Sequence, residues 1–112
     1  MITVGLKEKL ARLYFIDMLK ALHYCHNIIK VIHRDIKPDN IMINHNNEVV
    51  LIDFGVSAIV DQQEDDEINQ KIGTYMFFAP EMFLDKSQGI KVRGKKTDLW
   101  ALGITLFYMM CG

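Results

Sequence analysis

The chain has 112 residues, of which 50% are hydrophobic and 24% charged, and its formal net charge at pH 7 is −1. This length allows no more than one domain, and the lack of a basic excess argues against binding to nucleic acid. The two cysteines, Cys25 and Cys111, match no metal-binding or redox spacing. They favour a reducing compartment and therefore predict an intracellular, cytoplasmic protein.

The first predicted element is a long helix over residues 6–28. Its apolar residues recur at steps of three and four, which is the period of one helix face, and they are Ala11, Phe15, Met18, Leu22 and Cys25. His23 and His26 are spaced like metal ligands on a helix, but no cysteine or acid completes a site. We therefore expect both to be structural.

A loop over residues 33–40 follows, because Pro38 prevents the continuation of a helix. Two short β-type stretches around an asparagine-rich turn then predict a hairpin over residues 41–53. Between Val56 and Lys71 there is little periodicity, which predicts a long mobile loop.

The last predicted elements are a short helix that begins at Ala79-Pro80-Glu81 and an apolar helix over residues 97–112. Thr97-Asp98 is predicted to cap the second of these helices. A helix that is apolar all round is normally buried, and nothing follows this one to bury it. We therefore expect the chain to be truncated here. Its apolar stretch is too short to span a bilayer.

Polar residues that suit phosphoryl transfer cluster in the loop and just after the hairpin. Asn40 and Asp53 offer oxygen ligands for a hard cation such as Mg²⁺. Lys37 lies two residues after Asp35, so that in an extended loop both side chains lie on one face, where a cation could meet the transferring phosphoryl group. Asp35 could accept the proton of the substrate hydroxyl.

Several segments resemble motifs of the eukaryotic protein kinase family, in the family's order and with its spacings. "HRDIKPDN" resembles the catalytic loop, "DFG" the metal-binding triplet and "APE" the triplet that closes the activation segment. "GTYMFFAPE" resembles the substrate-facing loop, and "KKTDLWALGITLFYMMCG" the central helix of the large lobe. Lys37 and Gly73-Thr74 resemble the serine/threonine type.

The resemblance implies a role for each matching residue. Asp35 would accept or orient the proton of the substrate hydroxyl, Lys37 would neutralise the γ-phosphate of ATP, and Thr74 would tie the substrate loop to both. Asn40 and Asp53 would hold Mg²⁺. The implied cofactors are ATP and Mg²⁺, and the implied partner is a protein substrate with a serine or threonine, while an upstream regulator stays unidentified.

Other residues would support or regulate this site. His33 would brace the loop, Arg34 resembles the arginine that grips a phosphorylated activation loop, and Asp98 would hydrogen-bond the backbone of the catalytic loop. Phe54 and Gly55 complete the metal-binding triplet. Glu81 would lack its usual arginine partner.

The implied fold is mainly α with a short β-hairpin. It corresponds to the central part of the large (C-terminal) lobe, with the activation segment over residues 53–81. The family's glycine-rich loop, β-strand lysine and hinge are absent from the 112 residues. We therefore expect a partial domain, truncated at both ends and inactive alone, because positioning supplies most of the catalysis in this reaction.

Several alternatives stay open. The chain could be a non-catalytic regulatory or binding fragment, or an incomplete gene model. A small-molecule phosphotransferase of the aminoglycoside or choline kinase type shares the Asp…Asn…Asp frame, but "GTYMFFAPE" argues against it.

Two finer hypotheses concern the subgroup and regulation. "DFGVS" and "GTYMFFAPE" resemble the calcium/calmodulin-dependent protein kinase kinase group most. No Ser, Thr or Tyr lies between Ser57 and Thr74, which suggests that the acidic run Glu64–Glu67 replaces an activating phosphate. The ordinary interpretation of that run is a solvated loop.

Overall fold

A computed structural model describes residues 5–60, 65–84 and 89–111 of the chain. Two long helices, α1 (Glu8–Asn27) and α2 (Gly94–Cys111), frame the fold. Between them lie four short strands, β1 (Val31–Ile32), β2 (Ile41–Ile43), β3 (Val49–Leu51) and β4 (Ala58–Ile59). Three short 3₁₀ helices are also present, at Pro38–Asn40, Tyr75–Phe77 and Pro80–Phe83.

The core lies between the two helices and the 33–43 stretch. Its buried apolar side chains come from both helices and from the loop, and they are Ala11, Met18, Leu22, Ile36, Ile41, Ala101, Leu102 and Met109. Ile36 and Ile41 bracket the polar loop residues. Because burying such side chains contributes roughly 1.5–3 kcal/mol each, this packing holds the loop against the helices.

The β2–β3 hairpin pairs Ile41 with Leu51 and Ile43 with Val49 in antiparallel register. Its turn is closed by the side chain of Asn44, whose Oδ1 accepts hydrogen bonds from the amides of Asn46 and Glu48 at 2.9 Å each. Asparagine is favoured at such turns because its short side chain can bond to nearby backbone. The hairpin ends just before Asp53 and so delivers this residue beside the loop.

The structure corrects the predicted fold class by adding a second two-stranded sheet. Strand β1 pairs antiparallel with β4, with Val31 opposite Ile59 and Ile32 opposite Ala58. Part of the predicted 56–71 loop is therefore a strand, and Glu67 forms an isolated β-bridge with Arg93. Strands of two residues are too short to show any alternation in the sequence.

Helix α2 begins at Gly94 rather than at a Thr97-Asp98 cap. Thr97 lies inside the helix, where its Oγ1 donates a 2.8 Å hydrogen bond to the carbonyl of Gly94. Asp98 is also inside the helix and points into the protein. The helix reaches Cys111, while Gly112 lies outside the described residues.

Helix α2 is not buried all round, contrary to the prediction from its composition. Four of its large apolar side chains are more than two fifths exposed: Leu99, Trp100, Phe107 and Met110. Helix α1 runs over Glu8–Asn27, where the sequence predicts 6–28. Neither described helix is long and apolar enough to cross a membrane.

Candidate active site

The 33–40 loop is a rigid connection between β1 and the hairpin. Pro38 begins a single 3₁₀ turn, in which the amide of Asn40 donates to the carbonyl of Lys37 at 2.9 Å. Proline fits the first position of such a turn because its φ is already suitable and it has no N–H to satisfy. Pro38 and Asn40 are both buried, so the loop cannot move freely.

The carboxylate of Asp98 holds the start of the loop. Its Oδ2 accepts a 2.9 Å hydrogen bond from the amide of His33, and its Oδ1 accepts one of 3.0 Å from the amide of Arg34. The side chain of His26 donates a third bond, from Nε2 to Oδ2 at 2.7 Å. Asp98 is only 1% exposed. A carboxylate so deeply buried is tolerated because hydrogen bonds compensate for its lost hydration.

These bonds hold a strained backbone. Arg34 adopts a positive φ of 74°, a conformation that costs a non-glycine residue free energy and persists only where its surroundings enforce it. Besides the bond from its amide to Asp98, its Nε donates to the carbonyl of Val56 at 2.5 Å. The strained residue directly precedes Asp35 and fixes the direction of that side chain.

His33 links the loop to the end of the hairpin. Its Nδ1 accepts a 3.1 Å hydrogen bond from the amide of Asp35, so its Nε2 carries the proton and donates to the carbonyl of Ile52 at 2.8 Å. The imidazole is fully buried. Both ring nitrogens are therefore occupied, and His33 braces the loop instead of exchanging protons with a ligand.

Asp35, Lys37 and Thr74 meet in one chain of hydrogen bonds. Lys37 Nζ donates to Thr74 Oγ1 at 2.9 Å, and Thr74 Oγ1 donates to Asp35 Oδ1 at 2.9 Å. Lys37 Nζ also lies 3.8 Å from Asp35 Oδ2. Thr74 is 39 positions from Asp35 in the sequence. The spacing of Asp35 and Lys37 predicts that these two lie together, whereas only the fold brings Thr74 to them.

Asn40 and Asp53 offer oxygen atoms next to this chain. Asn40 Nδ2 donates to the carbonyl of Asp35 at 2.8 Å and approaches its Oδ2 at 3.3 Å. Since the amide nitrogen is committed to Asp35, the amide oxygen is the atom left for a ligand. The carbonyl of Asn40 accepts from the amide of Ile52 at 2.9 Å, which places Asp53 close by.

This donor set fits Mg²⁺ better than a transition metal. Among residues 5–60, 65–84 and 89–111, no three histidine, cysteine, aspartate or glutamate side chains form a metal-binding group. Magnesium needs only one or two protein oxygens, because water and phosphate complete its shell. Asp53 is exposed and has a φ of 60°.

The remaining predicted site residues lie around this centre. Phe54 places its ring 4.6 Å from that of His33, at an interplanar angle of 61°. At Gly55, an added Cβ would lie 3.2 Å from Asp53 Oδ1, so a small residue suits that position. Glu81 lies in the Pro80–Phe83 turn, and no described basic side chain forms an ion pair with it.

The acidic run lies against a different arginine from the one the sequence suggests. Asp65 and Asp66 lie 3.2 and 3.6 Å from Nη1 of Arg93, and neither forms an ion pair with Arg34 in the described part of the chain. The described acids therefore pair with Arg93, while the hypothesis that the acidic run replaces an activating phosphate stays a prediction. Glu64 lies outside the described residues.

The sequence carries a signal for the role of His26. His26 follows Leu22 by four positions and so lies next to the buried face of α1, which could have indicated a partner inside the protein. Beside it, burial and secondarily the Asp98 carboxylate raise the pKa of the Cys25 thiol. Burial and a raised pKa favour a packing role for this cysteine over a nucleophilic one.

Gly73 allows the segment that carries Thr74 to approach the 33–40 loop, and its replacement tests this arrangement. Its φ is +117°, and an added Cβ would collide with the carbonyl oxygen of Arg34. We expect Gly73→Ala to lower the free energy of unfolding by about 2 kcal/mol or more in a urea titration. Gly89→Ala is the control, because it shares a positive φ (+71°) but has open space around it. Equal losses of unfolding free energy in Gly73→Ala and Gly89→Ala would contradict the close approach of Gly73 to the carbonyl of Arg34.

Comparison with known proteins agrees with this geometry. The family model described as "Protein kinase domain" matches residues 2–112, which is nearly the whole chain. Sperm motility kinase 1 of Mus musculus is 42% identical over 107 residues, which are 96% of this chain and 21% of that protein.

Two further relatives match a similar share of the chain. A probable serine/threonine-protein kinase of Dictyostelium discoideum is 44% identical over 103 residues, covering 92% of this chain and 14% of that protein. CBL-interacting serine/threonine-protein kinase 19 of Arabidopsis thaliana is 38% identical over 108 residues, covering 96% of this chain and 21% of its own length. The chain thus spans about a fifth or less of the curated relatives that it matches.

Proposed function

The chain belongs to the protein kinase family, and from this premise we propose that it carries the catalytic centre of a serine/threonine protein kinase. The reaction would transfer the γ-phosphate of ATP to a serine or threonine hydroxyl of a protein. We assign the chain to the central part of the large lobe. Its free cysteines fit an intracellular location, where thiols stay reduced.

The observation that carries the proposal is the hydrogen-bonded chain Lys37–Thr74–Asp35. A substrate hydroxyl needs a proton acceptor, and the departing phosphoryl group needs a nearby positive charge. Asp35 and Lys37 supply these two groups, held 3.8 Å apart by their common partner Thr74. A structural ion pair would not need a shared hydroxyl from the segment that resembles the family's substrate-facing loop.

Asp35 receives the proton in this scheme. The side chain is 16% exposed, so that solvent or a substrate hydroxyl can reach it. Thr74 donates to Oδ1, and Asn40 approaches Oδ2, which leaves lone pairs on the carboxylate for a third donor. As the hydroxyl oxygen forms its bond to phosphorus, its proton passes to Asp35, and the P–O bond to the nucleoside diphosphate breaks.

Lys37 would stabilise the charge on the transferred phosphoryl group, and Mg²⁺ when bound would neutralise the phosphates. Asn40, through its amide oxygen, and Asp53, through its carboxylate, would hold the cation. The orientation of the Asn40 amide is already set by Asp35. The amide therefore does not have to rotate when the cation binds. A group that is already oriented stabilises the developing charge without a cost of reorganisation.

We propose further that the 112 residues alone show no measurable turnover of ATP. The residues assigned here bind the reacting end of the nucleotide, and none of them recognises adenine or clamps the α- and β-phosphates. Because positioning contributes much of the catalysis in phosphoryl transfer, such a partial site should lose most of its rate.

A non-catalytic binding fragment is the second candidate. The resemblance to the calcium/calmodulin-dependent protein kinase kinase group has only weak support, from CBL-interacting serine/threonine-protein kinase 19. The intact set of Asp35, Lys37, Asn40 and Asp53 favours the catalytic interpretation, since a binding fragment has no need for all four.

A chimera separates the two candidates. In sperm motility kinase 1, the 107 matched residues would be replaced by the corresponding residues of this chain. Incubation with ATP, Mg²⁺ and serine- or threonine-containing peptides should yield phosphopeptides if the proposal holds. A folded chimera that binds ATP but phosphorylates no peptide would favour the binding fragment, and phosphorylation of free aminoglycoside or choline alone would favour a small-molecule phosphotransferase.

Thr74 should matter through its hydroxyl. In the chimera we expect Thr74→Val to lower kcat/KM for the peptide by about tenfold to a hundredfold, because Lys37 and Asp35 lose their common partner. Thr74→Ser keeps the hydroxyl and serves as the matched control, with a loss of less than about threefold. If the Thr74→Val and Thr74→Ser variants gave the same steady-state rates, the hydrogen-bonded chain Lys37–Thr74–Asp35 would play no part in the reaction.

A further inference from the structure

The start of the substrate-facing segment is fastened to the N-terminal end of α2 by acidic side chains. Arg93 Nη1 lies 3.2 Å from Asp65 Oδ1 and 3.6 Å from Asp66 Oδ1. Asp66 Oδ2 accepts a 2.9 Å hydrogen bond from the amide of Lys95. We call the contact of residues 65–68 with residues 92–95 the acidic clip.

Backbone hydrogen bonds complete the acidic clip. The amide of Gly94 donates to the carbonyl of Asp66 at 2.8 Å, and the amide of Ile68 donates to the carbonyl of Val92 at 2.8 Å. The Asp66 side chain is only 12% exposed. A carboxylate there also opposes the positive end of the α2 dipole and occupies an amide that the helix itself cannot satisfy.

The acidic clip lies close to the catalytic residues in both sequence and space. Only five residues, 69–73, separate its last residue, Ile68, from Thr74. Beyond them the segment packs on α2 through Phe77, whose ring centroid lies 5.7 Å from that of Tyr108. Because the segment is short and held at both ends, the position of one end constrains the other.

Helix α2 connects the acidic clip to the catalytic loop by a second path. Its residue Asp98, one turn after Lys95, holds the amides of His33 and Arg34. The same helix end therefore fixes both the strained loop before Asp35 and the segment that carries Thr74. Gly94 also packs closely on β1, since an added Cβ would lie 2.9 Å from Ile32.

We propose that Asp66 and Arg93 are positioning residues, which place Thr74 against Asp35 and Lys37 without any phosphorylation of the segment. The inference rests on the proposed function for its catalytic consequence but not for its structural one. The negative charge that a phosphate would otherwise supply comes from the chain's own Asp65 and Asp66. Among the described residues, these aspartates pair with Arg93 and not with Arg34.

The ionic part of the acidic clip is separable from its backbone part by substitution. Asp66→Asn keeps a carbonyl oxygen that can accept from Lys95 but removes the charge, and Arg93→Gln removes the charge of the other partner. Arg93→Lys keeps the charge. Arg12→Gln is the matched control, because Arg12 forms an exposed ion pair with Glu8 at the same 3.2 Å distance on α1.

Amide hydrogen exchange of the full 112-residue chain tests the proposal without any need for activity. The amide of Ile68 reports the acidic clip itself, and the amide of Phe77, which donates to the carbonyl of Thr74 at 2.9 Å, reports the far end of the segment. In Asp66→Asn and Arg93→Gln we expect both amides to exchange about threefold to tenfold faster. Arg93→Lys should restore the protection, and Arg12→Gln should leave both amides unchanged.

Two results would overturn the proposal. If Ile68 lost protection while Phe77 did not, the acidic clip would be a local contact that does not position Thr74. If neither amide responded, the ion pairs would contribute nothing to the segment.

Activity of the chimera gives the second measurement. There, Asp66→Asn should raise KM for the peptide about fivefold or more and leave KM for ATP unchanged, because Thr74 contacts the peptide side of the site. Equal changes in KM for the peptide and in KM for ATP would contradict a positioning role. A chimera that phosphorylates nothing at all would reject the proposed function, while the exchange data would still decide on the acidic clip.

Discussion

Asp35→Asn should reduce kcat of the chimera for peptide phosphorylation by about 10²- to 10⁴-fold, the usual contribution of a positioned general base. The amide keeps an oxygen to accept from Thr74, and it fills the same volume as the carboxylate. It cannot take up a proton from the substrate hydroxyl. The expected loss is therefore in kcat, measured by steady-state kinetics with radiolabelled ATP, with little change in KM for ATP.

The control for this substitution lies in the same stretch of chain. Asp39 is exposed, and its side chain forms no hydrogen bond or ion pair in the described part of the structure. Asp39→Asn removes the same charge four residues away and should change kcat less than twofold. Equal losses at the two positions would mean that net charge near the site, not the carboxylate of Asp35, carries the effect.

Asp98→Ala should have the largest effect on stability. It removes the acceptor of three hydrogen bonds, from His26, His33 and Arg34, at a position that is 1% exposed. Breaking a buried charged network of this kind costs about 3–5 kcal/mol. Since small domains have a total stability of about 5–15 kcal/mol, the variant should lose a large part of its stability and unfold at a clearly lower urea concentration, as measured by circular dichroism.

Asp98→Asn separates the loss of charge from the loss of the acceptor. Its amide oxygen can still accept from one backbone amide, but its NH₂ group faces donors and cannot pair with them. We expect an intermediate loss of stability, and Asp39→Ala should cost nothing measurable. If Asp98→Ala unfolded at the same urea concentration as the parent chain, the network would not hold the loop.

The sequence predicts the parts of this site whose signal is local. Pro38 and the asparagine-rich turn predict the loop and the hairpin, because the conformational limits of these residues act within a few positions. The face of α1 is equally visible, since Ala11, Met18 and Leu22 follow the helical period. Assigning chemistry to Asp35 and Asn40 depended on the resemblance to a family as much as on the spacing of the residues.

What the sequence misses depends on tertiary contact. The β1–β4 sheet has strands of two residues, which carry no periodic signal. The bonds from Asp98 to the backbone of the 33–40 loop agree with what the family resemblance implies, but its third partner, His26, lies 72 positions away, and no pattern in the sequence joins the two. The pairing of Asp65 and Asp66 with Arg93 likewise joins residues 28 and 27 positions apart, and no local pattern in the sequence indicates it.

The transfer of labelled phosphate from [γ-³²P]ATP to a protein substrate by the chimera tests the central claim most directly. The account predicts label on serine and threonine after acid hydrolysis of the substrate, at a rate at least about a hundredfold above that of the Asp35→Asn chimera. A folded chimera whose rate equals that of its Asp35→Asn variant would contradict the claim that this chain carries the catalytic centre.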